Sequence, residues 1–175
     1  MTGAKTLACL LGLAAIVSCS STNGRVDQAT FEAEPRVPGA AQVYLDSQDE
    51  SGETVTLAVR VRDLADIASS DLFLEYDPDR LVYFSWQAGV LLEQVVGAVT
   101  YDVFEQGPGS LRMQISRSAG TADAGVNDPV LVVVRFKVVA VGRTPATWSA
   151  LSSLDDAQGT PHPGVQFYAG EFSGS

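Results

Sequence analysis

The segment Asp71-Leu72-Phe73-Leu74-Glu75-Tyr76-Asp77-Pro78-Asp79-Arg80-Leu81-Val82 constrains the fold more than any other part of the chain. Leu72, Leu74 and Tyr76 alternate with Asp71, Phe73 and Glu75, the two-residue period of a strand with one buried face. Asp77-Pro78-Asp79 stops that strand, because proline fixes φ and lacks an N–H while aspartates accept backbone hydrogen bonds in turns. Leu81 then opens a second strand. Strand, tight turn and strand in so short a space describe an antiparallel sheet.

The same reading extends from Ala41 onward. Gln42 to Leu45 is a short first strand, and Glu53 to Arg62 alternates Val55, Leu57, Val59 and Val61 with Thr54, Thr56, Ala58, Arg60 and Arg62. Leu81 to Trp86, Ala98 to Glu105 and Leu111 to Ser116 follow, the last two joined by the turn-forming Gln106-Gly107-Pro108-Gly109. Val130 to Val141 is almost wholly apolar, as a central strand covered on both faces would be. Thr147 to Leu154 and Val165 to Phe172 complete the set; only Gly89 to Val95 has room for a helical turn. Short strands separated by turns predict an all-β sandwich.

The N-terminus carries an address. Lys5 precedes an apolar run from Leu7 to Val17, too short to span a bilayer and of signal-peptide length. Its end, Ile16-Val17-Ser18-Cys19, resembles a bacterial lipobox. That resemblance implies cleavage after residue 18, acylation of Cys19 and attachment to a membrane through lipid; an ordinary signal peptide with incidental cysteines is the alternative. Ser20 and Ser21 do not resemble the aspartate that retains lipoproteins at the inner membrane, so the outer membrane of a Gram-negative envelope is the expected address. The two cysteines are Cys9 and Cys19. The first leaves with the signal and the second is lipidated, so the exported domain has neither a disulfide nor a thiolate metal site. Residues 19–40 are small, charged or proline-containing and show no apolar period. They are expected to be a flexible tether without secondary structure that lets the domain stand off the membrane. The sandwich is expected over 41–173, about 135 residues, ample for one core.

Taken in order, these elements resemble the cohesin domain family. The resemblance rests on the glycine-led turn Ser51-Gly52-Glu53 and its alternating strand, the strand–Tyr76-Asp77-Pro78–strand element, and Gly89-Val90-Leu91-Leu92. It continues through a strand ending in a Gly/Pro turn, Ile115-Ser116-Arg117-Ser118 with a glycine-rich loop, Leu131 to Val138, and Gly164-Val165-Gln166-Phe167. It covers roughly Val43 to Phe172. It implies a jelly-roll sandwich of about nine strands that is not an enzyme and docks a dockerin-bearing protein. The chain itself is expected to need no cofactor, although the partner's own loops require calcium. Carbohydrate binding on the same fold, with a polysaccharide ligand, and a purely structural envelope role are the alternatives.

Periodicity supplies a binding face independently. With Leu72, Leu74 and Tyr76 inward, Asp71, Phe73 and Glu75 point out; with Val99, Tyr101 and Val103 inward, Thr100, Asp102 and Phe104 point out; with Leu111, Met113 and Ile115 inward, Arg112, Gln114 and Ser116 point out. Two exposed phenylalanines among mixed charges have the composition of an interface. The family resemblance adds Ser69 and Asp71 as the hydrogen-bonding pair that opens the strand, Ser69 standing where asparagine is common. It also places Phe104 near an aromatic position that faces the partner, Arg117 near a position that is often acidic, and Gly120 in a small-residue loop that lets the partner approach.

Other functions are disfavoured by composition. The single histidine, His162, lies between two prolines, and a chain with one histidine and no cysteine in its folded part is poorly equipped for nucleophilic catalysis. Asp46, Asp49, Glu50 and Glu53, and Asp155-Asp156, cluster in turns, but their spacing fits no EF-hand, and they are read as solvated acids. The net charge is −10. That is the wrong sign for a nucleic-acid partner, which calls for a basic footprint.

Overall fold

The structure, a computed structural model, describes residues 24–94, 97–125 and 127–175. The expected signal segment and Cys19 lie outside them. Fourteen strands form among the described residues: β1 Ala29–Ala33, β2 Gln42–Ser51, β3 Thr54–Arg62, β4 Leu64–Ile67, β5 Ser69–Tyr76, β6 Leu81–Ala88, β7 Val99–Gly107, β8 Ser110–Arg117, β9 Ala122–Ala124, β10 Val130–Val138, β11 Gly142–Trp148, β12 Ser153–Asp155, β13 Gln166–Tyr168 and β14 Gly170–Gly174. One sheet runs β1-β14-β11-β5-β8-β7, with β12 also paired to β5. The second runs β13-β2-β3-β10-β6, and β4-β9 is a separate two-stranded ribbon.

The all-β sandwich is as expected; the count of about nine strands is not. Single expected strands are divided. A turn at 149–152 separates β11 from β12, and Ala169 separates β13, on one sheet, from β14, on the other. Asp63, at φ 52°, ends β3 and sends the chain into the β4–β9 ribbon. Val130–Val138 is second from the edge of its sheet rather than covered on both faces: Val132, Val134, Phe136 and Val138 are buried, whereas Val133, Arg135 and Lys137 are half-buried on the outer side.

The core lies between the sheets and is organised by aromatic rings. Phe136 of β10 meets Tyr76 of β5 at 5.1 Å, Tyr83 of β6 at 6.0 Å and Phe172 of β14 at 5.4 Å, each edge to face. Phe172 in turn meets Phe31 of β1 at 5.0 Å. Such geometry sets the positive edge of one ring against the negative face of the next.

Phe31 marks the main departure from the expected organisation. Residues 19–40 were expected to be tether throughout, yet β1 pairs along its whole length with β14, Ala29 to Gly174 through Ala33 to Gly170. Val26 and Ala29 are buried with Phe31. The Asp27 and Gln28 N–H groups donate to the Ser175 carbonyl. The apolar signal is only three side chains, Val26, Ala29 and Phe31, in a polar stretch, too sparse to show a period. Beyond β1 the chain is still fastened: the Arg36 guanidinium lies 3.7 Å from the Tyr44 ring centre, and Gln42 donates to the Val37 carbonyl.

Phe31→Ala is expected to lower stability by about 3 kcal/mol, the usual cost of truncating a buried phenylalanine. Glu32→Ala, exposed on the same strand, is expected to change it by less than about 0.5 kcal/mol. Urea unfolding of the two variants checks this; equal, negligible effects would return β1 to the tether. A second test uses pH. Burial, with the charge of Glu105 nearby, pushes the Tyr83 hydroxyl up to about 12. Unfolded tyrosine ionises near 10. Between these values the unfolded chain holds fewer protons than the folded one, so stability falls as pH rises through that window. The urea midpoint is expected to decline above about pH 10, and Tyr83→Phe to flatten the decline.

Candidate functional site

The three strands expected to share a face do share one. β5 pairs with β8 and β8 with β7, which aligns outward residues in rows across the sheet. Phe73, Arg112 and Phe104 form one row; Asp71, Gln114 and Asp102 the next; Ser69, Ser116 and Thr100 the third. Leu72, Leu74, Leu111, Met113, Ile115 and Val103 occupy the opposite face and are buried. Phe104 is 37% exposed, and Phe73 is half-buried. Neither ring is taken into the core.

Arg112 organises the centre. Its Nε and one Nη each donate to an oxygen of Asp71 at 2.8 Å, a bidentate pair between neighbouring rows. Its guanidinium lies 5.3 Å from the centre of the Phe73 ring, within cation–π range. Hydrogen bonding to Asp71, and then the charges of Asp71 and Asp102, hold Arg112 still more firmly protonated than an ordinary arginine. Asp71 is therefore not a free acceptor as the sequence suggested; each oxygen already takes one N–H, with lone pairs to spare. Glu75, exposed at the next row, accepts from Ser110 Oγ at 2.9 Å. Gln114 and Asp102 are exposed.

The other side of β5 adds a residue that the sequence reading missed. The turn after β11 clasps the Phe73 backbone: Ser149 N–H donates to the Phe73 carbonyl at 2.9 Å, and Phe73 N–H donates to Ser152 Oγ at 3.0 Å. Leu151, at the tip of this turn, is 75% exposed. Reading Thr147 to Leu154 as one strand hid it; the serines Ser149, Ser152 and Ser153, which favour turns, were the available signal. Leu151 is thus an exposed apolar side chain in the turn beside Phe73, at the edge of the face that carries Phe73 and Phe104.

Ser69 sits at the edge of the face, 3.4 Å from an Asp155 carboxylate oxygen that can take its hydroxyl hydrogen. Arg117 and Gly120 are not in the rows. Arg117 has the inward parity of its strand and donates to the carbonyls of Leu92, at 2.6 Å, and Ala119, at 3.3 Å, closing the end of the sandwich. Gly120, at φ 72°, lines an open cavity with Asp66, Thr121, Asp156, Gln158 and His162. Nε2 of His162 is 3.4 Å from the Asp66 carbonyl. Among the described residues no three His, Cys, Asp or Glu side chains are grouped to hold a metal ion. Three of the turn acids have internal partners: Asp46 pairs with Arg60 at 2.8 Å, Glu53 with Lys137 at 2.6 Å, and Glu50 accepts from Phe31 N–H at 2.9 Å.

The fold and this face can be set beside known proteins. A family model described as cohesin domain matches residues 40–171. The sixth cohesin from scaffoldin B of Acetivibrio cellulolyticus, solved in complex with a Cel5 dockerin mutant, superposes with a TM-score of 0.57 at 20% identity, over 75% of this chain and 98% of that one. The second type II cohesin module from the adaptor scaffoldin ScaA of the same organism gives 0.63 at 16% identity, over 79% and 99%. A non-cellulosomal cohesin from the hyperthermophilic archaeon Archaeoglobus fulgidus gives 0.54 at 19% identity, over 82% and 88%. No curated protein sequence matches the chain.

A half-buried ion pair at a sheet surface contributes modestly to stability. Asp71→Asn and Arg112→Met are each expected to shift the urea unfolding free energy by no more than about 1 kcal/mol. A loss several-fold larger would show that the pair holds the sheet together rather than shaping its surface.

Proposed function

Because the chain belongs to the cohesin domain family, we propose that it is a non-catalytic docking module, held in the cell envelope by a lipid on Cys19, whose Phe73–Arg112–Phe104 face binds a dockerin module carried by another protein. The observation that carries this reading is the row itself: two outward phenylalanines on either side of an arginine that is already charge-paired and ring-packed. Such a face buries apolar area on contact and exposes no unpaired cation at its centre, so docking carries little desolvation cost there. Leu151, Phe73 and Phe104 are the anchors. Asp102, Glu75 and the remaining lone pairs of Asp71 make the surround acidic, which favours a partner segment with basic residues. The lipid rests on the lipobox-like Ile16–Cys19 in the sequence. The solved relatives from Acetivibrio cellulolyticus in complex with dockerins support the choice of partner class.

A stacking platform for sugar would need exposed aromatics in line. Phe84 and Trp86 do not supply one, because the Trp86 ring stacks on Tyr101 at 5.4 Å and 24°.

The test is a pull-down from extract of the native organism with residues 24–175 as bait, with calcium and with chelator. A dockerin-bearing protein is expected to be retained in calcium and lost in chelator. Phe73→Ala, Phe104→Ala and Leu151→Ala are each expected to weaken its binding roughly tenfold or more, as truncation of an anchor residue does. Retention of no such protein in either condition overturns the reading.

A further inference from the structure

The finding that β1 belongs to the sandwich changes where the domain stands. Val26 is buried and Gly24 packs beside Val141; a Cβ on Gly24 would lie 3.2 Å from the Val141 side chain. Only residues 20–23 separate Gly24 from Cys19. Fully extended, that stretch reaches at most about 18 Å. If Cys19 carries lipid, the end of the sandwich that holds Val141 lies within that distance of the bilayer, whose headgroup layer is itself some 5 Å or more deep.

That end has the surface to match. Val141 is 46% exposed and Val139 is exposed beside it. Val139 N–H donates to the Arg80 carbonyl, so it sits one row on from the outward pair Val82 and Lys137. Phe84, the extra residue of the bulge in β6, is 68% exposed. The cations around these side chains are already neutralised: Arg80 by Asp77 at 3.6 Å, Lys137 by Glu53 at 2.6 Å, and Arg143 by Glu32 and Glu171 at 2.7 and 3.1 Å. Three cations against these four carboxylates leave this end apolar, its cations paired and its local charge slightly negative, in a chain of net charge −10.

We propose that this end rests on the bilayer, with Val141, Val139, Val82 and Phe84 in the headgroup layer. The inference rests on the lipid-anchor part of the proposed function and gives it an orientation. Apolar side chains on a surface whose cations are already paired are suited to a mainly zwitterionic membrane, where binding scales with buried apolar area rather than with charge. Val82 is on the outer face of the β13-β2-β3-β10-β6 sheet, with Phe84 in the bulge beside it. Leaning on them turns the opposite outer face, which carries Phe73 and Phe104, away from the membrane. Ser69 and the loop with Gly120 point away from the anchor along the strand direction.

The test uses the full chain, processed and lipidated, in vesicles of phosphatidylethanolamine with a minority of phosphatidylglycerol. After cleavage and acylation no free thiol remains, so Val141→Cys and Gln158→Cys each take a single environment-sensitive fluorophore, at the near and far ends. The Val141 label is expected to shift to the blue and to be quenched by nitroxide-bearing lipid, and the Gln158 label to do neither. A Val141 label that stays water-like and unquenched on a lipidated, vesicle-bound chain overturns this inference and leaves the anchor standing. A chain recovered with unmodified Cys19 and no vesicle association overturns the anchor and this inference together. A blue shift without quenching, lost when the protein is diluted in the vesicles, would assign the patch to contact between copies and also overturn it.

Discussion

Phe136 is the interaction on which the rest of this structure depends. It is the buried ring of one sheet that touches three rings at once, and two of them, Tyr76 and Phe172, belong to the other sheet. Two sheets packed face to face need their side chains interlocked to fix their relative position. Here the interlock has consequences in two directions. Through Tyr76 it fixes the end of β5, the strand whose outer residues form the candidate docking face. Through Phe172 it fixes β14, whose other neighbour, β1, is secured by Phe31. Core, docking strand and N-terminal strand are thus joined in one chain of edge-to-face contacts.

β5 shows how one strand serves two surfaces. Its inward residues are Ser70, Leu72, Leu74 and Tyr76, mostly apolar, and its outward ones are serine, aspartate, phenylalanine and glutamate. An apolar outward ring would ordinarily invite collapse or nonspecific association. Three neighbours hold Phe73 in place: Arg112 beside its ring, and Ser149 and Ser152 on its backbone. Arg112 is restrained in turn by Asp71. The side chains of the face therefore lose little freedom when a partner arrives, and ordering of side chains is one of the larger costs of association.

How much of this was legible in the sequence follows from which signals are local. Period-2 alternation reports a strand and its two faces wherever the alternation is clean, and in β5, β7 and β8 it placed every outward residue correctly. It fails where a strand is short or its partner distant. β1 has three apolar side chains, and its reason to be a strand is Phe172, more than a hundred residues away. β4 and β9 are a ribbon of four and three residues, below the length at which a period is visible. Leu151 was hidden because a turn clasped to a neighbouring strand looks, in sequence, like the strand continuing. Arg117 is the opposite case. The family resemblance pointed to it as a partner-facing charge, while its own parity, one residue after Ser116, already placed it inward.

The separation of ends in this sandwich bears on how it would work as a docking module. A domain on a long tether samples all orientations, and a partner that binds it must halt that tumbling. Here residues 24–40 of the expected tether are part of the fold, with β1 paired to β14 and Arg36 and Gln42 fastened beyond it, and Gly24 lies beside an apolar end. On the proposed anchoring, a domain held by both lipid and that end would have little rotational freedom left to lose. The same partner contacts would then yield more affinity, because part of the entropic cost of association would have been met in advance. In that proposal specificity would stay with the Phe73–Arg112–Phe104 row, which lies on the outer face of the opposite sheet from Val82.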